Sequence, residues 1–104
     1  MEQFIYYLKV ARVEMLTEGP TEEEKNIVSA HFAYLQVATE AGVVLLAGRT
    51  ATHDPGTFGI VVFVAPDEGA AQEFMAADPA VADNVMSAEL WPFRVAHMGQ
   101  KPQT

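Results

Sequence analysis

Two ionisable side chains, His31 and Asp78, are the strongest candidates for chemistry in this sequence of 104 residues. His31 lies on the apolar side of a predicted helix, between Ile27 and Tyr34, and an imidazole titrates close enough to neutrality to act as a general acid or base. Asp78 ends a second predicted helix on the same side of the predicted sheet, where its charge would orient the imidazole or stabilise the imidazolium. The alternative interpretations are a core histidine satisfied by one hydrogen bond and a turn carboxylate before Pro79.

Other familiar kinds of site find little support in the sequence. The chain has no cysteine, which rules out disulfides, thiolate zinc sites and cysteine nucleophiles. His53 lies beside Asp54 in a predicted loop, where both are expected to be solvated, and His97 has no partner suggested by spacing. The three histidines lie 22 and 44 positions apart, which is no local metal signature. Neither a Gly-x-Ser-x-Gly elbow nor a phosphate-binding glycine loop is present. We therefore predict no metal and no bound cofactor.

Hydrophobic periodicity divides the chain into alternating strands and helices. The predicted elements are a strand over 3–13, a helix over 21–41, strands over 43–47 and 58–65, a helix over 68–77 and an extended segment over 86–98. The order strand, helix, strand, strand, helix, strand is that of the split βαβ, ferredoxin-like α+β fold, βαββαβ. Right-handed crossovers then place both helices on one face of a four-stranded antiparallel sheet. The opposite face needs a cover, and we predict a homodimer that packs sheet against sheet.

Local signals mark the ends of these elements. Thr21 and Glu24 form a capping-box pattern at the start of the first helix, and Gly42 stands where a left-handed cap residue is wanted at its end. Asp54–Gly56 predicts a type II turn between the two middle strands, because glycine tolerates the positive φ that this turn requires. Pro92 interrupts the last extended segment and indicates an edge or bulged position.

The composition describes one small acidic domain. Asp and Glu number 14 against 6 Lys and Arg, for a formal net charge of -8, while hydrophobic residues make up 50%. An acidic chain without clustered basic residues is unsuited to nucleic acid or anionic membranes. No segment fits a signal peptide or a transmembrane span, so we expect a cytoplasmic protein. We place the domain at residues 1–98 and a flexible C-terminal tail at 99–104.

An ordered set of short motifs resembles the YciI-like (YCII-related) family. The set comprises Ala30-His31-Phe32-Ala33-Tyr34-Leu35, Glu40-Ala41-Gly42, Leu45-Leu46-Ala47-Gly48, Gly59, Ala70-Ala71, Asp78-Pro79 with Val81, and Pro92-Phe93. The resemblance implies a ferredoxin-like fold and a homodimer related to the dimeric α/β barrels. It also implies a cleft with a His and Asp pair proposed to be catalytic, and these roles fall on His31 and Asp78.

The chain departs from the family pattern at two positions. Members commonly have proline after the glycine that ends the second strand and an aromatic residue after the Asp-Pro pair, whereas this chain has Arg49 and Ala80. Arg49 would favour an anionic or phenolate ligand if it lies at the cleft, and would otherwise be an exposed strand-end arginine. Ala80 would widen the pocket. We predict Arg49, Tyr34 and Tyr7 as the residues that bind a small-molecule substrate.

Three functional hypotheses follow from the candidate pair. The leading one is a cofactor-independent enzyme of lyase or isomerase type, in which His31 moves a proton on a small ring-bearing or carbonyl-bearing substrate. The first alternative is a non-catalytic module that binds a small ligand. The second is a cofactor-free monooxygenase, because related dimeric barrels include such enzymes.

Overall fold

The computed structural model of the protein describes residues 1–100 and has one four-stranded sheet packed against helices. The elements are β1 (Glu2–Val10), α1 (Glu14–Thr17), α2 (Glu22–Glu40), β2 (Val44–Arg49), β3 (Gly59–Ala65), α3 (Glu68–Ala77), α4 (Pro79–Ala82) and β4 (Met86–Pro92). The strand order is β2-β3-β1-β4, and all neighbouring strands are antiparallel. The predicted ferredoxin-like α+β fold is confirmed.

Strand β1 is one of the two inner strands of the sheet, and its side chains alternate between the two faces. Phe4, Tyr6 and Leu8 are buried on the side that carries the helices, whereas their neighbours along the strand are only half-buried. The strand pairs with β3 on one edge and with β4 on the other. Successive side chains of a strand point to opposite faces, so this alternation fixes the register of both pairings.

The core under the helices is built around aromatic rings. Phe63 of β3 lies 5.6 Å from the ring of Tyr6 and 4.8 Å from the ring of Phe74 of α3, measured between centroids. Leu35 and Ala38 of α2 complete the cluster from the other long helix. Tilted and edge-on contacts of this kind each add about 1 kcal/mol beyond the buried area. The two long helices are therefore held at fixed positions over β1 and β3.

Helix α2 has the predicted signals at both ends. The Thr21 hydroxyl accepts a hydrogen bond from the backbone of Glu24, and the Glu24 carboxylate accepts one from the backbone of Thr21, which completes the capping box. Gly42 has φ +81° immediately after the helix, as a left-handed cap requires. Arg12 also reaches the helix start and donates to both carboxylate oxygens of Glu24, at 2.6 and 3.0 Å. The start of α2 is thus tied to the end of β1.

The structure corrects the predicted boundaries of several elements. The first strand ends at Val10 rather than residue 13, and α1 follows where a loop was expected. The type II turn at Asp54–Gly56 is wrong, because Gly56 does not have positive φ. The turn is closed instead by the Thr57 N–H, which donates to the Asp54 carbonyl at 3.0 Å, and by the Gly56 N–H, which donates to the Asp54 side chain at 2.8 Å. An Asx turn thus replaces the expected glycine conformation.

The C-terminal part of the chain leaves the sheet earlier than predicted. Strand β4 ends at Pro92 rather than residue 98, and it is an edge strand, as the proline indicated. The chain then continues without regular structure, although the Val95 N–H still donates to the side chain of Gln3 at 2.7 Å. The predicted tail at 99–104 has no regular structure at residues 99 and 100, and residues 101–104 lie outside the described part of the chain.

The side of the sheet opposite the helices is rich in large apolar residues, and we call it the open face. Cross-strand pairing places Ile5 beside Val62 and Trp91, and Tyr7 beside Ile60. Trp91 is 58% exposed to solvent. A row of partly exposed apolar side chains on one sheet face is typical of a surface that packs against another protein surface.

We predict that the contribution of Glu24 to the stability of the folded protein depends on pH, because Glu24 is paired with Arg12. The hydrogen bonds from Arg12, and after them the backbone hydrogen bond from Thr21, lower the pKa of Glu24 to about 2 from its ordinary 4.5. A depressed pKa stabilises the folded state above the ordinary value, and this contribution is lost as the pH falls towards 2. The difference in the free energy of unfolding between wild type and Glu24→Gln should therefore be largest above pH 5 and should shrink below pH 4.5. Urea titrations at a series of pH values measure it, with Glu23→Gln as the control, and a difference that is constant with pH would contradict the assignment.

Candidate active site

His31 and Asp78 form a buried hydrogen-bonded pair between α2 and the junction of α3 with α4. The Nδ1 atom of His31 lies 2.7 Å from Oδ1 and 2.9 Å from Oδ2 of Asp78. Asp78 is fully buried, and His31 is 8% exposed. Because a carboxylate accepts hydrogen bonds, the Nδ1 atom carries the proton and donates to Asp78. The predicted proximity of these two residues is confirmed.

The backbone around Asp78 is set by the proline that follows it. Pro79 has no N–H and disfavours helical backbone at the residue before it, so α3 ends and Asp78 is extended, with φ −60° and ψ 123°. The same proline is the first residue of α4, a favourable position for it. Asp78 is the N-cap of this short helix, and its Oδ1 atom accepts the N–H of Ala80 at 3.0 Å. This break directs the carboxylate inward, towards α2.

A third polar side chain, Tyr6 of β1, reaches the same carboxylate. Its hydroxyl donates to Oδ2 of Asp78 at 2.7 Å, and the residue is fully buried. Burial, followed by the hydrogen bond to Asp78 and the charge of Asp78, raises the pKa of Tyr6 above its ordinary range, so the phenol stays neutral. This contact was not predicted from the sequence. The available signal was the alternation of β1, which puts a phenol on the buried face, where its hydroxyl needs a partner.

The far edge of the His31 ring is free to meet a ligand. Among residues 1–100, no hydrogen bond is made to its Nε2 atom. Every fully buried side-chain nitrogen or oxygen of these residues has a hydrogen-bond partner, so the unbonded Nε2 atom must be in contact with solvent. With the proton held on Nδ1, Nε2 carries a lone pair and can accept a proton. Phe32, the next residue of α2, is 69% exposed, and its ring meets that of His31 edge-on with centroids 6.1 Å apart.

Tyr34, predicted to bind substrate, lies on the same side of the sheet as the pair. Its ring stacks on that of Phe74 with centroids 5.1 Å apart, and its hydroxyl donates to the Phe74 carbonyl at 2.7 Å. Burial, and then the charge of Asp78, raise the pKa of Tyr34. The residue lines an open apolar groove of about 500 Å³ between α2 and the α3–α4 segment, together with Val37 and Pro79.

The other two predicted binding residues are not joined to the pair within one chain. Tyr7 belongs to the open face and stacks on Phe58, with ring centroids 5.1 Å apart. Arg49 ends β2 opposite Gly59 and lines a second, smaller depression of about 280 Å³ with Phe58 and Ile60. In the described part of the chain, the Arg49 side chain makes no hydrogen bond or ion pair. The roles assigned to Tyr7 and Arg49 remain predictions.

Metal-binding clusters and membrane-spanning helices are both absent from residues 1–100. No group of three or more His, Cys, Asp or Glu side chains is placed so that it could hold a metal ion. In the same residues, no helix has the length and apolar character needed to cross a membrane.

The fold and site together define a ferredoxin-like α+β protein with a buried His–Asp pair under its helices. The sequence pattern of the YCII-related domain matches residues 5–94, and the chain belongs to that family. The family predicted from the motifs is therefore confirmed.

Comparison of structures supports the same fold. The protein is similar to a 5-chloro-2-hydroxyhydroquinone dehydrochlorinase from Burkholderia phenoliruptrix AC1100, solved in complex with 2,5-dihydroxybenzoquinone. The TM-score is 0.66 at 18% sequence identity, and the match covers 88% of this chain and 93% of that one. No curated protein sequence matches the chain significantly. At this level of identity the likeness establishes the fold.

We predict that Asp78 contributes far more to stability than an ordinary helix cap. Asp67 is the matched control, because it is the N-cap of α3 and accepts the N–H of Ala70 at 2.8 Å, but it is exposed. Asp67→Ala should lower the free energy of unfolding by about 1 kcal/mol, as the loss of a cap does. Asp78→Ala also leaves the Tyr6 hydroxyl and the His31 imidazole without their acceptor, and should cost about 3 kcal/mol or more. Urea unfolding measures both losses, and equal losses would show that the buried contacts add nothing.

Proposed function

We propose that the protein is a small-molecule enzyme in which His31 transfers a proton and Asp78 holds His31 in position. The observation that carries the proposal is the geometry of the pair: Nδ1 is bonded to a fully buried carboxylate, and Nε2 is left without a partner in residues 1–100. An imidazole oriented in this way by a carboxylate is a common general base. The reaction class that fits is a lyase or isomerase reaction.

The proposed mechanism begins with Nε2 taking a proton from an acidic O–H or C–H group of the substrate. The electron pair left behind moves into the substrate, where it expels a leaving group in a lyase reaction or forms a new double bond in an isomerase reaction. The imidazolium formed on His31 is stabilised by the adjacent charge of Asp78, which is strong at a buried site. His31 then returns the proton to the product or to solvent, and the free base is restored.

The proposed substrate is a small hydroxylated ring or a related carbonyl compound. Support comes from the dehydrochlorinase of similar fold, whose solved structure is a complex with 2,5-dihydroxybenzoquinone. The surroundings of the pair agree with a flat apolar ligand: the ring of Phe32 is exposed beside His31, and Tyr34 lines an apolar groove nearby. Aromatic faces bind flat rings by stacking.

We also propose that two copies associate through their open faces. Leu46 of β2 pairs with Val62 and is 56% exposed, and Trp91 is exposed at the other edge of the sheet. Burial of this row would contribute about 25 cal/mol for each Å² of apolar surface removed from water. Such an interface would supplement the core of a small domain that has no disulfides.

The function is tested with 5-chloro-2-hydroxyhydroquinone as substrate and 2,5-dihydroxybenzoquinone as ligand. His31→Ala should lower kcat by about 100-fold or more, the range expected for loss of a general base, and should change the affinity for the quinone by less than about three-fold. Chloride release measures turnover, and isothermal titration measures affinity. His53→Ala, in the exposed loop between β2 and β3, is the control and should retain full turnover.

Each alternative function gives a different outcome in this experiment. Quinone binding without turnover by the wild type, on this substrate and on a series of hydroxylated rings, would favour the ligand-binding module. Turnover that stops when oxygen is removed would favour the monooxygenase. Full turnover by His31→Ala would overturn the role of His31.

The dimer is tested by placing a charge on the open face. Leu46→Glu should convert the dimer, whose mass is twice 11.3 kDa, into a monomer. The reason is that a carboxylate buried in the interface without a partner is strongly unfavourable. Val37→Glu is the matched control, since Val37 is 68% exposed on the helical side. Sedimentation equilibrium measures the mass. A monomeric wild type at 100 µM, or dissociation caused by Val37→Glu alone, would contradict the proposed interface.

A further inference from the structure

We propose that Tyr6 is a positioning residue that lowers the proton affinity of the His31–Asp78 pair and so keeps Nε2 available as a base. The inference rests on the proposed function for its meaning in catalysis, but the underlying effect is a property of the free protein. The hydroxyl of Tyr6 makes one hydrogen bond within residues 1–100, to Asp78, and none to His31.

The ring of Tyr6 packs within the core, whereas its hydroxyl serves no packing role and forms its hydrogen bond with Asp78. The ring lies against those of Phe63 and Phe74 within the core. Phe4 and Leu8 occupy the equivalent positions before and after it on the same face of β1, and neither carries a polar group. A phenylalanine at position 6 would keep these ring contacts. The hydroxyl can therefore be removed by substitution without loss of the ring contacts.

The hydroxyl changes how the charge of Asp78 is shared. Oδ1 accepts from His31 and from the Ala80 N–H, and Oδ2 accepts from His31 and from Tyr6. A hydrogen bond to an ionised carboxylate stabilises the charge, so each additional donor lowers the tendency of the group to hold a proton or to stabilise a neighbouring cation. Removal of the Tyr6 donor leaves more of the charge for His31. The pair should then bind its proton more tightly.

The other titratable groups around His31 are the same in Tyr6→Phe as in the wild type, so the effect of Tyr6 is measurable. Asp78 faces it from the α3–α4 junction, and Tyr34 lies one turn further along α2. Glu24 lies two turns earlier on α2, where Arg12 pairs with it. The paired charges at that helix end are the same in every variant compared below, so they do not contribute to a difference.

The test is an NMR titration of the His31 ring protons in Tyr6→Phe without any substrate. The midpoint of the pair should rise by about one pH unit, equivalent to about 1.4 kcal/mol. His53 and His97, both exposed, serve as internal references and should not shift. Tyr7→Phe is the matched control, because it removes a hydroxyl from the adjacent position of β1 on the open face. A rise in Tyr7→Phe equal to that in Tyr6→Phe, or a change below 0.2 unit in Tyr6→Phe, overturns the inference.

A second measurement distinguishes electrostatics from packing and does not depend on the folding of Tyr6→Phe. The chain has three tyrosines, so the Tyr7→Phe, Tyr34→Phe double variant leaves Tyr6 alone for labelling with 3-fluorotyrosine. The fluorinated phenol is a stronger donor, and the midpoint of the pair should fall relative to the unlabelled double variant. An unchanged or higher midpoint overturns the inference. Because both titrations are made on the free protein, their result is independent of whether His31→Ala loses turnover.

Discussion

The burial of the Asp78 carboxylate is the constraint on which the rest of the site depends. An ionised carboxylate without water costs several kcal/mol unless donors surround it. The protein supplies these donors from three separate parts of the fold: β1 gives Tyr6, α2 gives His31, and the start of α4 gives the Ala80 N–H. The site therefore has its geometry only when the central strand, the long helix and the break at Pro79 are all in place. Its rigidity follows from the fold as a whole rather than from a local loop.

Much of the fold could be predicted because the hydrophobic periodicity and the helix-capping residues of the sequence indicate the same elements. The alternation of β1, the capping box at Thr21 and the left-handed residue at Gly42 each specify an element locally, and the structure has all three. The short helices α1 and α4 were missed, since four residues are too few to show a helical period. The turn at Asp54 was assigned to the wrong type because its geometry is set by the aspartate side chain and not by the glycine.

The sequence predicts those residues of the site that lie on the same side of the sheet. His31 and Asp78 could be paired because both belong to the helical side of the sheet, and the structure brings them to 2.7 Å. Tyr7 and Arg49 were chosen for their residue types, but type does not specify a face, and neither is joined to the pair in a single chain. Tyr6 was missed for a related reason: its partner lies 72 positions away, and no local pattern reports so distant a contact. A shared fold also leaves the substrate open, because function depends on the side chains placed on that fold.

The central position of β1 has a consequence for the order in which the protein is assembled. This strand precedes both of its neighbours in the chain, since they are residues 59–65 and 86–92, and Phe4 pairs with Pro92. Both hydrogen-bonding edges of β1 therefore stay unpaired until β3 and β4 have been synthesised. Contacts between such distant parts of a chain slow folding. During synthesis, an apolar strand with two unpaired edges is exposed to association with other chains. The sheet can close only after residues 86–92 have been translated, so β4 completes both the sheet and the protection of β1.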